Sequence, residues 1–175
     1  MTTTLLLLDA QVNMFDPSMP VFNSVALLES LATLIRNARR AGIPVVYMQH
    51  AGGPGDIDEP GAPGFEIHPQ LAHLSGDLVL VKRTPNAFHE TSLQAALEKI
   101  GVTGLVVAGL QSDLCIDATC RAALALGYAV TLVADAHSTY DSSKETAPEI
   151  SARINRELTS LVDVIPMKAL SLPER

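Results

Sequence analysis

A chain of 175 residues, 47% hydrophobic and 18% charged, is long enough for one domain with a sizeable core and too apolar for a disordered polypeptide. Its formal net charge of −7, without a basic stripe, excludes nucleic acid as an expected partner. The longest apolar runs, such as Leu5 to Leu8, are far too short to span a bilayer, no leader pattern precedes them, and two cysteines make no disulfide framework, so the expected setting is the cytoplasm, away from membranes.

Apolar runs alternate with helical patterns from end to end. Thr4 to Asp9 predicts a strand whose continuous leucines suit burial on both faces. Ser24 to Ala41 predicts a helix with Leu27, Leu28, Leu31, Leu34, Ile35 and Ala38 on one stripe, stopped at Gly42. Pro44 to Gln49 is the second strand, and the Gly- and Pro-rich stretch from Ala51 to Pro69 is a loop, suited to a lid or a subunit contact. Asp77 to Lys82 is the third strand, Thr91 to Ile100 a helix, and Gly104 to Gly109 the fourth strand. A helix follows from about Leu114 to Leu126, then a fifth strand over Ala129 to Ala134, a long helix over Ser143 to Ser160, and a last strand over Leu161 to Pro166. No linker or repeat divides the chain, so residues 1–175 form one domain. The alternation implies right-handed crossovers and a Rossmann-like three-layer α/β/α fold around a parallel sheet.

In such sheets ligands sit beyond the carboxyl ends of the strands. No GxGxxG follows the first strand and no Walker pattern occurs, so nucleotide binding has no support. Three reactive side chains do lie at those ends: Asp9 after strand one, Lys82 closing strand three, and Cys115 opening the helix after strand four. Singly, each has an ordinary explanation as a turn former, a solvated lysine or a small buried hydrophobe. Together they make a nucleophile, a base and a charge that balances both. The helix N-terminus favours the thiolate of Cys115, and the backbone amides around Leu114 and Cys115 suit an oxyanion. Cys120, five residues on, would lie roughly 140° away around the helix, too far for a disulfide.

The segments LLLLDAQVNMF (Leu5 to Phe15), KRTPNAFHETSL (Lys82 to Leu93), AGLQSDLCIDATCRAALALGY (Ala108 to Tyr128) and VTLVADAHST (Val130 to Thr139) resemble, in order, the isochorismatase-like cysteine hydrolases. The resemblance runs from Leu5 to about Val164. It implies an Asp-Lys-Cys triad at Asp9, Lys82 and Cys115 and a six-stranded parallel sheet in the order 3-2-1-4-5-6. It also implies a cis peptide at Leu110–Gln111, which adds Leu110 and Gln111 to the oxyanion hole, and a homo-oligomer, dimer or tetramer. That strand order puts strand three two steps from strand one, roughly 9.6 Å, a gap a lysine crosses.

Gln11, Phe15, His50, Asn86, Phe88 and Gln111 also follow strand ends and are the candidate substrate-binding residues. Phe15 and Phe88 suit the core equally, Asn86 suits the turn after Pro85, and His50 can face substrate or water. Asp113 and Asp117 are read as helix caps. Nicotinamidases of the family carry an Asp-x-His pair after strand two. Here that place reads Met48, Gln49, His50, so no metal and no cofactor are expected. The resemblance therefore points to cleavage of a small amide, ureido or carbamoyl C–N bond through a thioester. The alternatives are a non-catalytic binding protein on the same fold, a redox role for Cys115, or vinyl-ether hydrolysis, which needs no thiol. The substrate itself is not written in the sequence.

Overall fold

A computed structural model describes residues 2–172. Six parallel strands form one sheet in the order β3-β2-β1-β4-β5-β6: β1 Thr3–Leu8, β2 Val45–His50, β3 Leu78–Lys82, β4 Gly104–Leu110, β5 Ala129–Ser138 and β6 Asp163–Ile165. The order implied by the resemblance is the one observed. Four helices cover the sheet: α1 Ser24–Arg40, α2 Leu93–Lys99, α3 Asp117–Ala125 and α4 Ala147–Leu158.

The leucine run explains the layering. Successive strand residues point to opposite faces, so Leu5 and Leu7 join one core cluster with Leu27, Leu31 and Leu34 of α1, while Leu6 and Leu8 join another with Leu93 and Leu97 of α2 and Ile150 and Ile154 of α4. Every residue of β1 is buried, as a central strand of a doubly covered sheet requires. Among the described residues no helix is long and apolar enough to cross a membrane.

Three elements differ from their expected spans, each for a local reason. β5 runs on to Ser138, because a bulge opposite Val107 to Gly109 resets the register and pairs Gly109 with His137. α4 starts only at Ala147, where Thr146 and Glu149 form a reciprocal capping box. The helix expected from Leu114 is split: a π-helical turn over Ser112–Ile116 precedes α3. The long loop after β2 holds single 3₁₀ turns at Pro63–Phe65 and Pro69–Leu71.

Candidate active site

Asp9 is the first residue past β1. Its backbone is left-handed, with φ 50°, and its N–H donates to the Met48 carbonyl at 2.9 Å. Lys82 closes β3, in register with His50 of β2. Its ammonium donates to Asp9 Oδ2 at 2.9 Å and to Cys115 Sγ at 3.2 Å. Asp9 and Lys82 are each 1% exposed and Cys115 is 7% exposed, so the three groups meet away from bulk water. The gap across strand two is bridged by the lysine stem as the strand order requires.

Cys115 owes its position to the π-helical turn. Ile116 N–H reaches back five residues to the Gln111 carbonyl, and Leu114 N–H bonds the same oxygen. The Leu110–Gln111 peptide is cis. Gly109 is obligatory there: its φ is +120°, and a Cβ would run into the backbone carbonyl of Leu8 on the neighbouring strand. Below the turn, Ser112 Oγ bonds His137 Nδ1 at 2.8 Å and Ser151 Oγ at 3.0 Å. Asp113 and Asp117 do not cap the helix. Asp113 accepts from Thr139 Oγ1 at 2.7 Å, which ties the turn to the end of β5, and Asp117 pairs with Arg121 one turn along α3.

The electrostatics follow from burial. Desolvation alone would lower the Lys82 pKa, but the charges of Asp9 and Cys115 outweigh it and raise it, so Lys82 is an ammonium. Burial, followed by the Asp9 carboxylate, pushes the Cys115 thiol up to about 12, with Lys82 opposing. The sequence favours a thiolate at a helix N-terminus. In the fold Cys115 lies within the π-turn that precedes α3, and burial beside the Asp9 carboxylate raises its thiol instead. Cys120 is fully buried in the core, and its thiol is likewise pushed up to about 12, chiefly by burial.

A cavity of about 380 Å³ opens above Cys115, with Asp9, His50 and Gln111 on its walls. The other four candidate binding residues lie elsewhere. Gln11 is a strut: its amide donates to the carbonyls of His50 and Phe65 at 3.0 and 2.9 Å and accepts from His50 N–H at 2.6 Å, pinning the loop after β2. Phe15 packs edge-on against His68 in the core. Asn86 Oδ1 accepts from Phe88 N–H and shapes the turn, and the Phe88 ring stacks on Tyr128. The cavity is instead completed by Asn13, Asp16, Met19, Ile57, Asp58 and Tyr140. Most of these are loop residues without periodicity or motif, so no local signal marked them. Asp16 accepts two bonds from Ser18, which hold its carboxyl below the usual carboxylate range. Among the described residues no three His, Cys, Asp or Glu side chains converge to hold a metal ion.

The family model for the isochorismatase domain matches residues 3–155. The chain is 37% identical over 156 residues to a streptothricin hydrolase of Streptomyces noursei, covering 89% of this chain and 56% of that protein, little more than half its length. It is 31% identical to nicotinamidase 3 of Arabidopsis thaliana over 82% of this chain and 76% of that one. The crystal structure of an isochorismatase from Pseudomonas putida superposes with a TM-score of 0.90 at 28% identity, covering 97% of this chain and 90% of that chain.

Proposed function

The chain belongs to the isochorismatase family, and from that premise we propose that it is a cysteine hydrolase that cleaves a small amide, ureido or carbamoyl C–N bond with Asp9, Lys82 and Cys115. The carrying observation is the buried contact of the Lys82 ammonium with both Asp9 and Cys115 at the floor of a cavity. Relatives named as a streptothricin hydrolase and a nicotinamidase support hydrolysis of that bond class.

Asp9 Oδ2 is occupied by Lys82, whereas Oδ1 has no hydrogen-bond partner among the described residues. Oδ1 is therefore the atom that takes the Cys115 proton. With the thiol held up at about 12, the proton leaves as the sulfur attacks the substrate carbonyl rather than beforehand. The oxyanion forms beside the turn from Leu110 to Cys115. Leu114 N–H is already turned onto the Gln111 carbonyl, so the amides of Gln111 and Cys115 are the donors assigned to it. Asp9 returns the proton to the leaving nitrogen, and the amine or ammonia departs from a thioester. Water, deprotonated by Asp9, attacks that thioester, and the acid is released as the thiol regains its proton. The chemistry calls for no cofactor. Exposed Met19, Phe22 and Val25, close together before and within the start of α1, support self-association as part of this reading.

The test is a screen of small amides, ureas and carbamates for release of ammonia or amine, with wild type and Cys115→Ala side by side. Release by wild type alone is expected. No release from any compound, or equal release by both proteins, sinks the proposal.

A further inference from the structure

Two loops wall the cavity, and each brings one carboxylate and one large apolar side chain. The loop after β1 supplies Asp16 and Met19, and the loop after β2 supplies Asp58 and Ile57. Neither Asp16 nor Asp58 forms a salt bridge among the described residues. Among the described residues no lysine or arginine lines the cavity, and the lysine beneath it, Lys82, is already committed to Asp9 and Cys115. Asn13 Oδ1 is a buried acceptor without a partner among the described residues, and Asn13 lines the cavity.

An unpaired buried acceptor costs free energy until an N–H reaches it. Two carboxylates lining one cleft set up a negative potential that enriches cations and repels anions. The apolar side chains beside them suit a hydrocarbon arm. We infer that the cavity selects amides whose acyl or amine portion carries a cationic group, an ammonium or guanidinium, on an apolar arm, and that Asp16 and Asp58 set this selectivity. The inference rests on the amidohydrolase reading of the same site and narrows it to a substrate class. Anionic amides are rejected for the reason cationic ones are accepted.

Charge selection can be read without turnover. Methanethiosulfonates convert a thiol to a mixed disulfide with loss of methanesulfinate, and they carry aminoethyl, methyl or sulfonatoethyl heads. The rate of Cys115 modification by each, located by peptide mapping and divided by that reagent's rate with a free small thiol, isolates the cavity's preference. At low salt the aminoethyl reagent should exceed the sulfonatoethyl one by about tenfold or more. The double variant Asp16→Asn, Asp58→Asn, with folding checked by circular dichroism, should reduce that ratio by about threefold or more. Salt near 1 M should reduce it similarly in wild type, which serves if the variant does not fold. A smaller wild-type ratio, or a smaller fall on substitution or in salt, overturns the inference. Failure of the amide screen with the charge ratio intact would sink the hydrolase reading alone.

Discussion

The charge arithmetic at the cavity floor turns on one side chain. Among the described residues Lys82 is the only cation against a carboxylate and a thiol that must share a proton, and it is among the largest fully buried side chains. Without it, Asp9 is left as an uncompensated buried charge, and the Cys115 thiol loses the group that pulls its pKa down. Lys82→Ala should therefore raise the thiol pKa, lower stability by about 3–5 kcal/mol and lower the hydrolysis rate at least about 100-fold. Lys82→Arg should not restore the rate, because a planar guanidinium does not fit the place of a compact ammonium. Rate against pH for the folded variants checks this. Turnover by Lys82→Ala within threefold of wild type would make Lys82 a structural lysine. That Asp9, Lys82 and Cys115 meet was legible because each stands at a strand end and the four resembling segments occur in order. Gln11, Phe15, Asn86 and Phe88 stand at similar places, yet they became a strut, core packing and a turn. Position after a strand does not say whether a side chain faces the cavity or the protein. Asp16 and Asp58 were not legible at all, since their places on one cavity wall depend on how two loops close over the sheet.

The π-turn that carries Cys115 is braced from below by β5 and α4. Asn155 Nδ2 donates to the Ala134 carbonyl at 3.0 Å, which leaves its Oδ1 to accept from His137 Nε2 at 3.0 Å. His137 Nδ1 then accepts from Ser112 Oγ, so the imidazole is neutral with its proton on Nε2. Burial lowers the His137 pKa below the ordinary 6.5, although the Asn155 bond and Asp135 oppose it. The unfolded chain then binds a proton that the folded one does not. Stability is unaffected by this group above about pH 6.5 and is lost as pH falls below that value toward the folded pKa. Urea midpoints between about pH 7.5 and 5 should fall for wild type and fall less steeply for His137→Gln; equal slopes would remove His137 from the account. The strand-helix alternation was legible here, but the brace was not. Ser112, His137 and Asn155 come from separate segments with no common motif, and the bulge that lengthens β5 to reach them is set by pairing with β4.

Across the whole molecule the sheet order was legible only through the resemblance. Periodicity alone identifies six strands and parallel pairing but not which strands are neighbours. The observed order places β1 and β4 at the centre, where Asp9 and Cys115 leave the sheet, and puts β3 on its rim. β3 is five residues long, hydrogen-bonded to β2 alone, and its Val81 is 46% exposed. Rim strands open locally at a lower free energy than the central core. The proposed chemistry thus depends on a lysine carried by one of the least anchored strands of the sheet. Each excursion of β3 withdraws the ammonium from its partners while β1 and β4 remain paired. Under rising urea, hydrolysis should therefore fail at a lower concentration than the far-ultraviolet circular dichroism does, and added substrate should narrow the gap. Coincident midpoints would mean that the rim and the centre come apart as a single cooperative unit.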